Sequence, residues 1–538
     1  MSRRMKKPIR ASELKRHKEL KKYEAEVSKN LDHIPLSRDL QENIKLVREV
    51  FGQSDDLVIR QIELGGVATL NAAVIFLDGL TDRNVIDEYI LKSLMMDVQG
   101  KIPQESRQGS ESLYFWVKEK GLNINEVGET PKLRKLVDSI LGGDCGLLLD
   151  RVDQAILCNT KGWDKRGIEE PQTEAVVRGP REGFAETLRV NTALVRRRLK
   201  DPQLRVKNLQ VGDRTNTDVC LMYIDGIVEN NVLEEVKTRI EDIKIDGALE
   251  SGYIEQFIED HPWSPFPQIQ NTERPDKVAA SLLEGKVAIL VDGTPFVLIV
   301  PCIFSQFYQS PEDYYERFII SSLIRVIRLI SMFIALLLPA LYIAFSSFHP
   351  EMIPSKLAIA MTAGRSTVPF PSIVEALLME VSIEILREAS IRLPGPIGPT
   401  IGIVGALVVG QAAVQAGIVS PIMVIVVALT TIGSFVSPGY NAAIALRMLR
   451  FPLMLAASMF GLYGIMLLLI VTIVHLCSMK SFGVPYMAPF SPMRILDNRD
   501  TLLRAPLYRM KFRPSPFEPQ DENRMDGRQS NNKKDGQG

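Results

Sequence analysis

The sequence predicts an α/β soluble N-terminal region of two related subdomains, followed by an α-helical polytopic membrane domain. Three observations carry this prediction. The 54 residues from Leu393 to Leu446 contain no Asp, Glu, Lys or Arg, which is enough apolar chain for two membrane helices of roughly 20 residues each. A segment around Asp78-Gly79 recurs around Asp225-Gly226. The first long apolar run begins only after residue 300, so no signal peptide is expected.

Composition divides the chain into eight segments. Residues 1–22 carry ten Lys or Arg against two acids, and residues 480–513 carry seven against two. Basic residues beside membrane spans mark the cytoplasmic side. The segments are a basic helical or disordered arm (1–50), α/β subdomain 1 (51–160), a linker region (161–204), α/β subdomain 2 (205–302), a pre-membrane connector (303–328), the transmembrane domain (329–479), a basic cytoplasmic segment (480–512) and a disordered tail (513–538).

The two soluble subdomains are predicted from a repeat at a fixed offset of 147 residues. Five residues recur with it, in the pairs Asp78/Asp225, Gly79/Gly226, Asn84/Asn231, Val85/Val232 and Glu88/Glu235. Later in each half, 146–157 and 287–298 both form two strand-like runs around a turn, and Asp292-Gly293 is a strong hairpin signal. The order strand, turn, helix, helix, hairpin therefore occurs twice.

The linker region contains the glycine-rich loop Arg178–Phe184, ahead of a helical run that ends in Arg196-Arg197-Arg198. Backbone N–H groups of such a loop can hold an anion. No Gly-Lys-Ser/Thr follows, so a structural linker is favoured over nucleotide binding. The five cysteines lack metal-site spacing and are predicted to be reduced thiols in a cytosolic compartment.

In the membrane region we predict four strongly apolar spans, which are Leu329–Phe348, Thr400–Ile418, Ile422–Val436 and Pro452–Cys477. Both flanks are basic, which demands an even number of crossings. Arg447 and Arg450 would then face outside, against the positive-inside tendency. If Ser372–Ile391 also crossed, these arginines would move inside but the basic tail would move out, so four spans plus an interfacial or re-entrant helix are favoured.

That helix, residues 372–391, carries the one site-like pattern. Glu380, Glu384 and Glu388 recur every four residues, which places them on one side of a helix, predicted to be the water side. Carboxylates beside a bilayer suit a cation path, and a solvated face paired with Arg387 and Arg392 is the alternative. Further candidates follow in the sequence: Gln411 and Gln415 for the ion path, and Pro394, Gly395, Pro396, Gly398 and Pro399 for a hinge.

We find no hydrolase elbow, no Walker loop, no His-Glu-x-x-His motif and no catalytic Cys/His pair in the sequence. The five histidines are scattered. We therefore expect neither an enzyme nor a cofactor or metal site. A solvated arm explains the N-terminal basic cluster better than nucleic-acid binding does.

Several stretches together resemble the A-subunit family of spore germinant receptors, the GerA family of endospore-forming bacteria. The resemblance covers roughly residues 50–500. Its motifs are Leu147–Gly162 with Thr160-Lys161-Gly162, Arg178-Gly-Pro-Arg-Glu-Gly-Phe184, Asn271-Thr-Glu-Arg-Pro-Asp276, Glu284–Phe296, Pro311-Glu-Asp-Tyr-Tyr315, Ala389–Pro399 and Pro438-Gly-Tyr-Asn441.

This resemblance implies a protein of the inner spore membrane with its soluble domain on the cytoplasmic or core side. It implies a transporter-like B subunit, a lipoprotein C subunit, membrane lipids and a homo-oligomer as partners, and an oligomeric nutrient-gated ion channel as the function. A sporulation-stage relative associated with the dipicolinate channel is a second interpretation. A secondary transporter is a third, although it would need inverted repeats among the spans, and the repeat that we find lies in the soluble half.

Overall fold

The computed structural model describes residues 34–64, 71–97, 110–124, 126–162, 170–171, 173–391, 405, 408–494 and 497–525. The predicted hinge, 394–399, and the last part of the tail lie outside these residues. Two α/β subdomains are followed by a helical domain, as the sequence predicts.

Subdomain 1 is built on a five-stranded antiparallel sheet in which side chains alternate between two apolar cores. Helices α1 (Leu40–Phe51) and α3 (Leu133–Leu141) cover one face. Helix α2 (Ser110–Trp116) and helical turns at Val85–Leu91 and Ser93–Asp97 cover the other. The sheet order is β1-β2-β4-β5-β3, with β1 Leu57–Glu63, β2 Asn71–Leu77, β3 Val127–Thr130, β4 Cys145–Leu149 and β5 Ala155–Cys158.

Subdomain 2 repeats this arrangement. Helices α4 (Leu188–Arg198) and α7 (Pro275–Leu283) cover one face of its sheet. Helices α5 (Asn230–Glu241) and α6 (Ser251–Ile258) cover the other. The sheet order is β6-β7-β9-β10-β8, with β6 Leu204–Val211, β7 Thr217–Ile224, β8 Gln270–Thr272, β9 Val287–Val291 and β10 Val297–Val300.

The prediction of two related subdomains is confirmed by their common strand order, since each sheet places its strands as first, second, fourth, fifth, third. The repeated Asp-Gly pairs follow the second strand in both halves. Gly79 has φ 85° and Gly226 has φ 80°, a left-handed conformation that glycine adopts with little strain. This requirement explains why glycine recurs at this position of both halves.

The two subdomains are joined by a buried ion pair. Arg196 of α4 binds Asp56 through Nε at 2.8 Å and Nη2 at 2.9 Å, and Nη2 also donates to the Ser54 hydroxyl at 2.9 Å. The Arg196 side chain is 1% exposed and that of Asp56 is 8% exposed. In addition, the Asp55 amide donates to the carbonyl of Val206 on the outer strand β6, at 2.9 Å. Residues 54–56 therefore cover the free edge of the second sheet.

Helix α6 carries a carboxyl group whose pKa predicts a pH dependence. Burial, with the neighbouring carboxylates Glu259 and Glu250, raises the pKa of Glu255 to about 7. Folding thus favours the protonated form. The contribution of Glu255 to stability is largest below the unfolded-state pKa of about 4.3, falls as the pH rises towards 7, and is constant above that. Over that range the contribution falls by about 3–4 kcal/mol.

Replacing Glu255 with Gln is expected to remove this pH dependence and to leave a protein that is more stable than wild type at pH 8. Urea unfolding at pH 5 and pH 8 measures the free energy of unfolding of wild type and variant at each pH. Glu241→Gln, on the exposed face of α5, is the matched control and should leave the difference between the two pH values unchanged. Equal behaviour of the two variants would contradict the assignment.

The C-terminal region is helical and contains α8 (Glu312–Tyr315), α9 (Phe318–Ser347), α10 (Ser355–Arg365), α11 (Ser372–Ile391), α12 (Pro421–Phe435) and α13 (Tyr440–Ser478). Among the described residues, α9 and α13 are long and apolar enough to cross a membrane by length and composition. Helix α12 is a shorter apolar helix that agrees with the predicted span Ile422–Val436 to within one residue at each end.

Helix α13 reverses direction at Gly461, which has φ 60° and ψ −139°. Ala442 from its start and Leu476 from its end lie in one apolar cluster with Phe266 and Phe307. A straight helix would separate Ala442 from Leu476 by about 50 Å at 1.5 Å per residue. The element is therefore a hairpin with an outward arm (440–460) and a return arm (462–478). The predicted single span Pro452–Cys477 is wrong, because it runs through this break.

The helices form a bundle with a base at the soluble region and a tip at Phe348. Arg328 of α9 contacts the Tyr308 carbonyl at the base, whereas a Cβ at Gly461 would lie 3.0 Å from Phe348 Cβ at the tip. The 21 residues from Arg328 to Phe348 span about 30 Å, which matches the hydrocarbon thickness of a bilayer. The outward arm begins at the base and the return arm ends there. Both flanks of the helical domain therefore lie on the same side of the bundle.

Two other expectations about the helices need correction. Helix α9 starts at Phe318, inside the predicted connector, because Arg325 and Arg328 are neutralised by Asp313. Helix α11 runs along the bundle from the tip towards the base and does not lie flat at one end of it. Ser372 bonds Ser346 near the tip at 2.8 Å, and Arg387, four turns later, bonds Ser434 towards the base at 3.1 Å.

Substituting Gly461 with Ala is expected to destabilise the helical domain. A Cβ there would lie 2.9 Å from His349 Nε2 and 3.0 Å from Phe348 Cβ, in addition to the left-handed backbone strain, which is about 1–2 kcal/mol. Gly483→Ala is the control, since Gly483 has φ 84° and a Cβ there would meet no described residue within 4 Å. The melting temperature in detergent should fall further for Gly461→Ala. An equal fall would show that Gly461 is not a packed turn.

The C-terminal segment returns to the soluble region. The predicted disordered tail from 513 is wrong as far as residue 525, because Phe517 is 2% exposed and packs with Ile303 and Val484. The Gln520 amide donates to the Ile227 carbonyl at 2.9 Å. Polar composition predicts disorder, but a single aromatic anchor with a few backbone hydrogen bonds is enough to order a short segment.

Candidate functional site

The acidic residues of α11 meet arginines of the outward arm inside the bundle. Glu380 forms an ion pair with Arg450, and the two side chains are 3% and 4% exposed. Arg450 Nε also donates to the Ala335 carbonyl of α9 at 2.8 Å. The prediction that Glu380 lies on the water side is therefore wrong for the single chain. A spacing of four residues identifies one face of a helix, but not what that face contacts.

Glu384 lies one turn further towards the base and is less buried. It binds Arg387 at 2.9 Å and Arg447 of the outward arm at 3.3 Å. The Arg387 guanidinium also lies 4.9 Å from the Phe435 ring centre and donates to the Ser434 hydroxyl at 3.1 Å. These arginines are internal partners of acidic residues and not part of a loop, so the positive-inside tendency does not apply to them.

The remaining predicted residues are distributed differently. Glu388 is exposed, as are Gln411 and Gln415 on the helical stretch 408–415. The structure thus brings Glu380 and Glu384 together with three arginines but leaves both glutamines on the outside of the single chain.

Several buried polar atoms of this cluster have no hydrogen-bond partner among the residues that the structure describes. They are Glu380 Oε1, Arg387 Nε, Arg447 Nε and Arg450 Nη2. Buried polar groups are normally satisfied, and leaving one unsatisfied costs about 1–3 kcal/mol. The cluster is therefore a polar weak point of the bundle.

A second ion pair, with a buried carboxylate, lies nearer the tip and was missed by the sequence reasoning. Glu375 of α11 is fully buried, binds Arg365 of α10 at 3.1 Å, and accepts the Ser420 amide at 2.9 Å. Glu375 does not continue the spacing of four, so the pattern left it out. The available signal was an ionisable residue within an apolar stretch, which in a membrane segment indicates function.

At the base, three motifs that are distant in the sequence converge. The Arg274 guanidinium binds Asp276 at 2.8 Å and the Pro180 carbonyl at 3.0 Å, and the Tyr315 hydroxyl donates to Asp276. Glu312 accepts the Arg178 amide at 3.3 Å. The Arg178–Phe184 loop thus holds a carboxylate of its own chain, which favours the structural interpretation of that loop.

The same junction is tied to the first long helix. Asp313 binds Arg325 at 2.8 Å and Arg328 at 2.7 Å, and Asp500 of the C-terminal segment also binds Arg325 at 2.8 Å. Burial, followed by the hydrogen bond to Asp276, raises the pKa of Tyr315, so its hydroxyl remains a donor at neutral pH. We name this set of contacts the base junction.

Comparison with known proteins identifies the chain. The model of the Bacillus/Clostridium GerA spore germination protein family matches residues 45–516. The chain belongs to the GerA family. Spore germination protein KA of Bacillus subtilis is 47% identical to this chain, over 91% of this chain and 89% of its own length. The uncharacterized membrane protein YfkQ of B. subtilis is 46% identical over 91% of this chain and 94% of its own.

Among solved structures, the N-terminal domain of the A subunit of the Bacillus megaterium spore germinant receptor GerK3 is 37% identical. It covers 50% of this chain and 98% of its own length, at a TM-score of 0.39. Membership of the GerA family supports a role for this chain in spore germination, and its apolar helices indicate membrane association.

Proposed function

We propose that this GerA-family chain is a membrane subunit of a nutrient receptor that triggers germination by forming an oligomeric, nutrient-gated ion channel with partner subunits. The observation that carries the proposal is the Glu380–Arg450 pair. It is buried near the midpoint of the outward arm, in a bundle about 30 Å tall. Ionisable residues are expensive at this depth and mark ion or substrate paths.

The ion path runs along α11. Glu384 is 40% exposed in the single chain, and Glu388, Gln411 and Gln415 are exposed as well. A ring of copies would turn these groups towards a shared aqueous lumen. Rings of carboxylates favour cations, and carboxylates that face water raise the local cation concentration. The buried Glu380–Arg450 pair then forms the wall behind them.

Gating passes through the base junction. A movement of subdomain 2 reaches α9 through Asp276, Tyr315 and Asp313, because these residues link the soluble motifs to the arginines of that helix. The Pro and Gly residues at 394–399 serve as a hinge behind α11, since a few such positions can absorb a backbone change.

The complex that we propose contains a transporter-like B subunit, a lipoprotein C subunit and several copies of this chain in the inner spore membrane. The base faces the spore core. Basic residues of the N-terminal arm and of 480–512 support this orientation, and both flanks of the helical domain lie at the base.

The proposal is tested in spores that lack this chain. They should lose germination in response to at least one compound of a nutrient panel and should release fewer monovalent cations on its addition. The wild-type sequence should restore both responses. Normal germination on every nutrient, combined with poor accumulation of dipicolinate during sporulation, would contradict the receptor assignment.

A further inference from the structure

A turn of subdomain 2, residues 261–265, lies at the base of the helical bundle and presents Trp263. This side chain is 98% exposed, the largest exposed fraction among the exposed large apolar side chains of the described residues. An indole combines a large apolar surface with one polar N–H group. It is costly to leave in water, and it suits a boundary between water and lipid.

The turn is held rigidly against the end of the return arm. The Ser264 hydroxyl bonds His475 Nε2 at 2.9 Å and Met479 Sδ at 3.3 Å. Phe266 is buried in one cluster with Leu476 and Met479. The position of Trp263 is therefore fixed relative to a helix of the bundle.

This anchoring determines the depth of Trp263. His475 lies within the last turn of the return arm, which ends at Ser478. Two other residues suited to an interface lie at the same level: Tyr440, which begins the outward arm and is 56% exposed, and Lys480, which is exposed just after the return arm. Trp and Tyr concentrate where membrane proteins meet the headgroup layer, and Lys snorkels to it.

We propose that the turn 261–265 docks on the phospholipid headgroup layer with Trp263 inserted at the interface. Subdomain 2 then has a membrane contact of its own, beside the helices. The inference rests on the membrane placement of the bundle proposed above, but not on ion conduction. The contact restrains the tilt of subdomain 2 over the bilayer.

Tryptophan fluorescence tests the docking in the full-length chain reconstituted into phosphatidylcholine–phosphatidylglycerol vesicles. The chain has three tryptophans. A variant with Trp116→Phe and Trp163→Phe keeps Trp263 alone, and the matched control with Trp163→Phe and Trp263→Phe keeps Trp116, which packs against the core of subdomain 1. Quenchers are placed on the lipid headgroup or near the end of the acyl chain.

Docking predicts blue-shifted emission from Trp263, a loss of most of that emission with the headgroup quencher, and little loss with the deep quencher. Trp116 should respond to neither. Emission from Trp263 that stays water-like and is unaffected by both quenchers would overturn the proposal. So would protection of Trp263 that occurs only when partner subunits are added, which would assign the turn to a protein contact.

A third variant separates this test from the placement of the bundle. Leu467→Trp, in a background with the three natural tryptophans changed to Phe, puts an indole on the exposed side of the return arm, where Leu467 is 50% exposed. If the deep quencher reduces the emission of the new tryptophan while Trp263 is unaffected by both quenchers, the bundle spans the membrane and only the docking proposal is wrong.

Discussion

Replacing Arg196 with Met is expected to lower the free energy of unfolding of the soluble region by about 3–5 kcal/mol. The change leaves the Asp56 carboxylate buried at the subdomain boundary without its charged partner, and it removes the donor to the Ser54 hydroxyl. Adding Asp56→Asn to Arg196→Met removes both charges and should recover part of the lost stability. A buried charge without its partner costs more free energy than the loss of the whole ion pair. Urea unfolding of the full-length chain in the Trp163→Phe, Trp263→Phe background, followed by the fluorescence of Trp116, measures both.

The control is the exposed pair Arg38–Asp153, whose side chains are 70% and 52% exposed. Arg38→Met should cost no more than about 1 kcal/mol, since solvent screens such pairs. If Arg196→Met and Arg38→Met cost the same, the subdomains are not held together by the buried pair.

Glu380→Gln is expected to have the largest effect on the helical domain. It leaves Arg450 charged and unpaired in the middle of the bundle, at a cost of about 3–5 kcal/mol. The amount of protein in the membrane and nutrient-triggered germination should both fall. Adding Arg450→Met to this variant removes the unpaired charge, so the amount of protein should recover.

The double variant separates packing from function. If the pair only holds helices together, restoring the amount of protein should restore germination too. If the pair belongs to the wall of the ion path, germination stays impaired at normal protein levels, as we expect. The control is Glu351→Gln, which removes an exposed carboxylate near the tip and should change neither quantity.

Most of the soluble fold could be predicted from the sequence because its signals are local. The turns at Asp78-Gly79 and Asp225-Gly226 need a left-handed glycine, and the hairpin at Asp292-Gly293 is set by the same chemistry. A local pattern that occurs twice in the same order leaves few alternatives to a duplicated fold.

The helical domain was harder to predict because its decisive contacts are distant in the sequence. Arg450 looked like a residue outside the membrane, yet it pairs with Glu380, seventy positions earlier. The break at Gly461 is a single glycine in an apolar run, and nothing local separates it from glycines that allow close packing. The base junction likewise joins residues from five segments of the chain, and no periodic sequence pattern reveals such contacts.

The central claim, that the carboxylates of α11 belong to an ion path, is tested most directly by ion flux. The purified chain is reconstituted into liposomes with and without its partner subunits and a nutrient panel, as wild type and as the triple variant Glu380→Gln, Glu384→Gln, Glu388→Gln. The triple variant also carries Arg450→Met, so that no buried arginine is left without its partner, and the two chains are compared at equal amounts of inserted protein. We predict nutrient-dependent cation flux in the complete complex and a strong reduction in the triple variant, most marked at low salt, where carboxylates concentrate cations best. Unchanged conductance and selectivity in a triple variant that inserts normally would remove these residues from the ion path.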